Sequence, residues 1–359
     1  MKLLSTRVPA RAAVAAAAVA FGACGGSRSA AIDAPGAIDA VAVPIGTTQT
    51  VVALDGTHVY FTGSENRRSV DVPVTFPAPD LRYAKVTLRL GLRCPAPGGC
   101  DPWDRLARLS ILRPGAGADP VELELARFVT PYHVGGQFTV DVTDLQRILE
   151  GPQTLRVFVD TWVGPGSAYG DGWLVDAAFD FEGGLPARDP IAVLPLWAPQ
   201  RVTYGDPAHP IDVHTSVAIP AGVTGVRLRA LVTGHGQGNA DNCAEFCARD
   251  HQFLIGGETV STTLWRDDCA TTAVPNQQGT WKYARAGWCP GAMVTPWTAD
   301  LAATAGELAI RYDVAGYDNT CRPDAPTCAG CTLGTGCDYD GGNHTEPGWE
   351  QSAVLILLR

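Results

Sequence analysis

From Lys85 to Leu92 the chain alternates without interruption: Val86, Leu88, Leu90 and Leu92 take one side, Lys85, Thr87, Arg89 and Gly91 the other. An extended strand, with its two-residue repeat, turns that pattern into one apolar and one wet face. The pattern recurs in Leu155, Val157 and Val159 against Arg156, Phe158, Asp160 and Trp162. Asp160 and Trp162 therefore project together, away from the aliphatic side. Val226, Leu228, Ala230 and Val232 alternate with Arg227, Arg229 and Leu231, and Leu106–Leu112, Phe138–Val142, Ala177–Phe181 and Leu308–Val314 also read as strands. Ala353–Leu358 is almost wholly apolar, which predicts a strand in the middle of a sheet or covered on both faces. Helical period is scarce; Thr143–Gln146 reads as a capping box opening a short helix through Leu149. With 40 Gly and 27 Pro to punctuate the strands, the expected class is all-β, as sandwiches or barrels. A length of 359 residues suits about two domains. The linker between them is expected at Gly183–Pro190, giving domains over 46–185 and 186–359, with Asp318–Glu350 as a long stapled loop.

The first residues read as an export signal. Lys2, Arg7 and Arg11 precede a short apolar run, Ala12–Ala20, too short to span a bilayer. Phe21-Gly-Ala-Cys24 approximates a lipobox, so residues 1–23 are expected to be removed and Cys24 to carry lipid, with 24–45 as a flexible tether. The alternative is an ordinary secretory signal with an incidental cysteine. The expected location is the outer membrane through the lipid anchor, otherwise the periplasm or the exterior. Of the 11 cysteines, setting Cys24 aside leaves an even number, as a disulfide framework requires. Cys321, Cys328, Cys331 and Cys337 are expected to pair in an unassigned order; the C-x-x-C spacing of Cys328 and Cys331 keeps zinc as the alternative. The net charge of −10 reads as solubility. With no basic stripe interleaved with aromatics, nucleic acid is not an expected partner.

Three loops concentrate chemistry. In the first, Cys94 and Cys100 are spaced to close a loop held by Pro95 and Pro97, followed by Asp101-Pro102-Trp103-Asp104-Arg105. Asp104 is a candidate catalytic carboxylate, and Trp103 offers a flat face for a sugar ring; the bland reading is a surface turn with an ionised Asp104 paired to Arg105. In the second, Thr233-Gly-His-Gly236 leads to Cys243-Ala-Glu245-Phe246-Cys247, where a second short disulfide loop would present Glu245. In the third, pairing of Cys269 with Cys289 would fix Arg285 and Trp288.

Read together, Cys100-Asp-Pro-Trp-Asp-Arg105, Arg127-Phe-Val-Thr-Pro-Tyr132, Asp141-Val-Thr-Asp144, Asp160-Thr-Trp162, Cys243-Ala-Glu-Phe-Cys247 and Arg285-Ala-Gly-Trp-Cys-Pro-Gly291 resemble the peptide-N-glycosidase F family, bacterial amidases that remove N-linked glycans. The stretches keep the family's order and cover most of residues 60–300. The resemblance implies two adjacent jelly-roll-like antiparallel sandwiches with the site in the cleft between them. By position, Asp104 matches the family's main catalytic aspartate and Glu245 its supporting glutamate. Arg285 and Trp288 match cleft-lining residues, and Trp162 matches a tryptophan beside the sugar. Departures fall on the sugar wall: Asp160 stands where the family has glutamate, His235 replaces a tryptophan, Gln237 a histidine, Leu106 a tyrosine, and Phe246 a tryptophan. A displacement of about 1 Å in such a group can cost roughly a hundredfold in rate.

The resemblance implies an amidase without cofactor, acting on N-linked glycoproteins or glycopeptides; the leader makes it exported, and a monomer is expected. It would split the bond between an asparagine side chain and the first N-acetylglucosamine. Asp104 would act as general acid/base or activate water, while Glu245 and Asp160 position water and sugar. Arg285 would hold a polar substrate group or set the carboxylate charge. Trp162 and Trp288 would stack on sugar, with Trp103, Arg105, His235 and Phe246 completing the binding wall. The alternative is a non-catalytic glycan-binding surface lipoprotein on the same fold. Copper monooxygenases also pair two jelly rolls, but they need clustered histidines and a thioether. Here His58, His133, His209, His214, His235, His251 and His344 are scattered and Met293 is the sole thioether candidate in the mature chain, so no metal is expected.

Overall fold

The computed structural model describes residues 41–115, 117, 119–236, 243–319 and 347–359. They lie within one compact unit, Asp33–Arg359. The expected leader, the expected lipidation site Cys24, Gln237 and the four late cysteines lie outside the described residues. In the first half the strands are β1 (Val41–Phe61), β2 (Asn66–Arg67), β3 (Ser69–Thr75), β4 (Leu81–Arg93), β5 (Leu106–Arg113), β6 (Val121–Val129), β7 (Gly136–Asp141), β8 (Pro152–Val159) and β9 (Trp173–Gly184). The second half adds β10 (Pro190–Thr203), β11 (Asp212–Ile219), β12 (Gly225–His235), β13 (Arg249–Ile255), β14 (Glu258–Leu264), β15 (Ala292–Met293), β16 (Trp297–Ala302), β17 (Gly306–Val314) and β18 (Gly348–Leu358).

These strands make two sandwiches. The first packs the sheet β2-β1-β9-β4-β7 on the sheet β15-β6-β5-β8-β3; the second packs β10-β18-β12-β16 on β11-β17-β13-β14. Pairing is antiparallel apart from a two-residue contact of β1 with β4 at Val41 and Ala42. The alternating side chains behave as their period dictates. Val86, Leu88, Leu90 and Leu92 enter the first core with Leu155, Val157 and Val159. Val226, Leu228, Ala230 and Val232 enter the second. β18 is indeed central, between β10 and β12. It feeds both cores, Val354 and Ile356 into the first and Ala353, Leu355 and Leu357 into the second. That double duty explains why the strand has almost no polar face.

Two further links tie the sandwiches together. Although β15 comes from the second half, it adds to the edge of β6 in the first, pairing Ala292 with Val129 and Met293 with Phe128. Beside it, the buried Arg127 guanidinium is held by both Glu124 oxygens (2.8 and 2.7 Å) and donates across the interface to Thr233 Oγ1 (3.1 Å) and the Glu350 carbonyl (2.6 Å). Arg229 returns the contact by donating to the Leu125 carbonyl at 2.8 Å. A buried charge with all three nitrogens engaged resists sliding, because any shift strands an ion in a low-dielectric interior.

Local expectations need four corrections. The segment Thr143–Ile148 is a 3-10 turn capped by Val142 without a side-chain bond. Thr143 Oγ1 instead accepts from Val86 N–H (3.0 Å) and donates to Asp141 (2.6 Å), while Gln146 accepts from Tyr83 N–H (3.2 Å). Tertiary partners took the groups that a capping box would use. β1 starts at Val41, inside the stretch 24–45 expected as tether, because Val43 and Thr48–Val59 pair with β9. The linker shrinks to 185–189, since Gly184 ends β9 and Pro190 opens β10. Gly348–Glu350, expected in the late loop, already belong to β18.

Candidate active site

Asp104 lies in the turn from β4 to β5, just beyond the Cys94–Cys100 disulfide. Arg105 does not pair with it. The Arg105 Nε donates instead to Asp101 Oδ2 at 2.8 Å. Asp101 is fully buried and also accepts from Thr161 Oγ1 (2.6 Å) and from the Trp103 backbone N–H (3.0 Å). With Arg105 committed to Asp101, Asp104 is left to face the other sandwich. The local Asp104–Arg105 pair of the bland reading is therefore replaced by a pairing of Arg105 with Asp101.

On the opposite wall three segments knit together. Gly234 N–H bonds Ala286 O at 3.0 Å, Ala286 N–H bonds Glu245 O at 2.8 Å, and Trp288 Nε1 donates to Gly234 O at 2.7 Å. A Cβ at Gly234 would come within 2.3 Å of Ala244 O, so this close approach requires glycine. The loop carrying Glu245 is closed by the Cys243–Cys247 disulfide, and Cys269–Cys289 braces the segment behind Arg285. The backbone of Arg285 exchanges both hydrogen bonds with Arg266, at 2.8 and 3.0 Å.

Arg285 connects the two walls. Its Nη2 lies 4.0 Å from Asp104 Oδ2 and its Nε donates to Glu245 Oε1 at 3.3 Å. It is only 1% exposed, and its remaining donors go to Thr280 O (3.1 Å), Tyr283 O (3.0 Å) and Thr280 Oγ1 (3.1 Å). The guanidinium is also sandwiched near Trp288 (4.9 Å) and Phe246 (5.4 Å). So fully engaged a group sets carboxylate charge and has little left to offer a substrate. Register comes from the β15 crossing: Gly291 N–H bonds Val129 O (2.9 Å), and Gln277 Oε1 accepts from Tyr132 N–H (2.9 Å).

Two carboxyls share this one cation. Burial raises Glu245 to about 7, the nearby Asp104 charge adds to the rise, and Arg285 opposes it. Burial likewise raises Asp104 above the ordinary aspartate range, against the pull of a Tyr132 hydrogen bond and of Arg285. The sequence expectation of a plainly ionised Asp104 gives way to desolvation. Near neutral pH the pair retains proton density, so a hydrogen-bond donor and an acceptor stand side by side. Tyr132, whose own hydroxyl is pushed well upward by burial and by Asp104, completes the group with Thr280 at 3.5 Å. Sequence reading gave neither Tyr132 nor Thr280 a role, although Tyr132 ends one of the stretches that resemble the family.

The raised Glu245 has a stability consequence. Its folded value lies above its unfolded one, so the native state holds the extra proton, and stability falls as pH rises from about 4.5 to about 7. The shift corresponds to about 3 kcal/mol as an upper bound. Glu245→Gln, which mimics the protonated carboxyl, is expected to match the wild-type denaturation midpoint at pH 5 and to exceed it at pH 8. Equal midpoints at both pH values would contradict a strained carboxylate.

The other expected residues divide by exposure. Trp162 is 54% exposed, and Phe246 also faces solvent. Trp288 is 3% exposed, stacked on His235 (ring centroids 5.2 Å apart) beneath Arg285, and so cannot serve as a sugar platform; it supports the guanidinium. His235 donates or accepts at Thr233 Oγ1 (2.8 Å) and is held neutral by burial and by Arg201, Arg127 and Arg285 around it. Asp160 and Trp162 do lie together, but joined through Arg68. Its Nη1 bonds Asp160 Oδ1 at 3.0 Å and its guanidinium sits 4.3 Å over the Trp162 ring, with Phe61 5.1 Å away. Asp160 is thus already occupied at the rim. Arg68 is 92 residues distant in sequence, beyond any local signal.

A family model described as Peptide-N-glycosidase F, C terminal, matches residues 203–327. The chain is 30% identical over 282 residues to the peptide-N(4)-(N-acetyl-beta-D-glucosaminyl)asparagine amidase F of Elizabethkingia miricola, covering 74% of this chain and 76% of that protein. Its fold is similar to the crystal structure of a peptide-N(4)-(N-acetyl-beta-D-glucosaminyl)asparagine amidase, with TM-score 0.70 at 23% identity, over 87% of this chain and 96% of that one. PNGase F of Flavobacterium meningosepticum gives 0.69 at 23% identity over the same shares. PNGF-II gives 0.65 at 16% identity, covering 86% of this chain and 65% of the other.

Proposed function

The chain belongs to the peptide-N-glycosidase F family, and we propose that it hydrolyses the amide between an asparagine side chain and the first N-acetylglucosamine of N-linked glycoproteins or glycopeptides. Water supplies oxygen to the side-chain carbonyl carbon as the C–N bond breaks. Asparagine becomes aspartate, and the glycan leaves as a glycosylamine that then loses ammonia. The observation that carries this reading is the single buried Arg285 spanning Asp104 and Glu245 from opposite sandwiches, at 4.0 and 3.3 Å. Asp104 takes and returns the proton between water and the amide nitrogen. Glu245 orients the water or a sugar hydroxyl, and Arg285 prevents the two carboxyls from both retaining protons. Trp162 provides the exposed face for the sugar, with Arg68 fixing its orientation and neutralising Asp160.

Export belongs to the same proposal. Its support is the three disulfides of the described residues, which persist in oxidising compartments. The proposed scheme has a leader over 1–23, lipid at Cys24 and two sandwich domains meeting at 185–189. Among the described residues no helix is long and apolar enough to cross a membrane.

The test is incubation with an N-glycopeptide followed by mass spectrometry of the peptide. Conversion of the glycosylated Asn to Asp is the expected result. Retention of the glycopeptide without conversion would favour a glycan-binding role; neither binding nor conversion would remove this substrate class.

A further inference from the structure

An exposed aromatic pair adjoins the Asp104 turn, made by residues outside the Arg285 contacts. Trp103 is 42% exposed and Tyr169 66% exposed, their ring centroids 5.6 Å apart and tilted by 54°. They flank an open recess of about 580 Å³ whose other walls include Gly98, Gly99, Pro102 and His133. Single exposed aromatics are ordinary on a protein surface. These are held. Arg105, itself fixed to the buried Asp101, lies 5.0 Å over the Trp103 ring. The two loops are zipped together: Asp171 N–H bonds Gly99 O (2.9 Å), Gly98 N–H bonds Asp171 Oδ2 (3.2 Å), and Asp101 N–H bonds Gly172 O (3.3 Å). His58 Nε2 reaches Asp171 O at 2.7 Å, and Gly170, at φ +133°, lies so close to Cys100 O that a Cβ there would come within 2.3 Å. The Cys94–Cys100 disulfide closes the same loop.

We propose that this recess is an accessory carbohydrate subsite, taking a pyranose of the glycan beyond the sugar attached to asparagine. The proposal rests on the amidase reading for what brings the glycan there. Its chemistry is that of sugar recognition: two preorganised ring faces for C–H surfaces, with polar groups at the edges. A peptide is the poorer occupant. It would look for free backbone donors and acceptors, and the loops have spent several of theirs on each other and within themselves, Gly99 N–H bonding Pro95 O at 2.8 Å. Trp103 precedes Asp104 directly, so a glycan engaged here is tethered next to the reacting carboxylate.

Tyr169→Ala removes an exposed ring and no core contact. Two glycopeptides with the same peptide serve as substrates, one carrying a long oligosaccharide and one trimmed to its first N-acetylglucosamine. The variant is expected to raise KM roughly three- to tenfold for the long substrate, the scale of one stacking contact, with kcat and the trimmed substrate unchanged. An equal effect on both substrates, no effect on either, or an effect that follows peptide length at constant glycan would overturn the subsite. If neither wild type nor variant converts any substrate, the amidase reading fails separately. Tryptophan-fluorescence titration with the free long oligosaccharide then still decides the subsite: weaker binding by Tyr169→Ala supports it, and equal binding refutes it.

Discussion

Asp104→Asn is expected to lower glycan release by roughly a hundred- to ten-thousandfold, the range a positioned acid or base contributes. The amide keeps the shape of the carboxyl and can still accept from Tyr132, but it cannot exchange a proton with water or with the departing nitrogen. The fold should be unaffected or slightly firmer. Asp104 is raised mainly by burial, so a neutral side chain relieves a cost rather than creating one. Product formation by mass spectrometry, beside a thermal melt, checks both halves. Deglycosylation at the wild-type rate would sink the assignment of Asp104.

Arg285→Ala is expected to damage fold and activity together. It leaves Asp104 and Glu245 facing each other without a cation and strips the donors from Thr280 O and Tyr283 O. Breaking a buried pair by removing one partner costs about 3–5 kcal/mol. It also opens the space beneath Phe246 and over Trp288. Arg285→Lys restores the charge but not the planar fork that reaches a carboxylate and two carbonyls at once, so stability should return in part and activity should not. Adding Glu245→Gln to Arg285→Ala removes one of the stranded charges and should recover part of the lost stability at pH 8 and little at pH 5. Denaturation midpoints of the three variants at the two pH values measure this. A gain from Glu245→Gln at pH 8 that is no larger in the Arg285→Ala background than in the wild type would mean the guanidinium does not act through Glu245.

What the chain says by itself is what local physics decides. The alternation at Lys85–Leu92 and Val226–Val232 becomes buried strand faces, because side-chain period is a property of the backbone and needs no partner to define it. The unbroken apolar run Ala353–Leu358 announces a strand covered twice. The short spacings of Cys94 with Cys100 and Cys243 with Cys247 close loops with few other choices. Asp104, Glu245 and Arg285 stand out for the loops that carry them and for the resemblance of those loops to a known family.

The partners could not be read that way. Arg105 lies beside Asp104 in sequence and bonds Asp101; Asp160 is claimed by Arg68 across 92 residues; Trp288 is turned under Arg285 and out of the cleft. A charged side chain goes to whichever opposite charge is buried and in reach, and that is settled by which loops the sheets bring together. The crossing of β15 onto the first sandwich brings Arg285 to Asp104, through backbone bonds that any sequence could make. The chain alone determined the strands, the stapled loops and the residue types able to do the chemistry. Only the tertiary structure decided which carboxyls share a cation, because proximity and desolvation come from packing, and these in turn raise Glu245 to about 7.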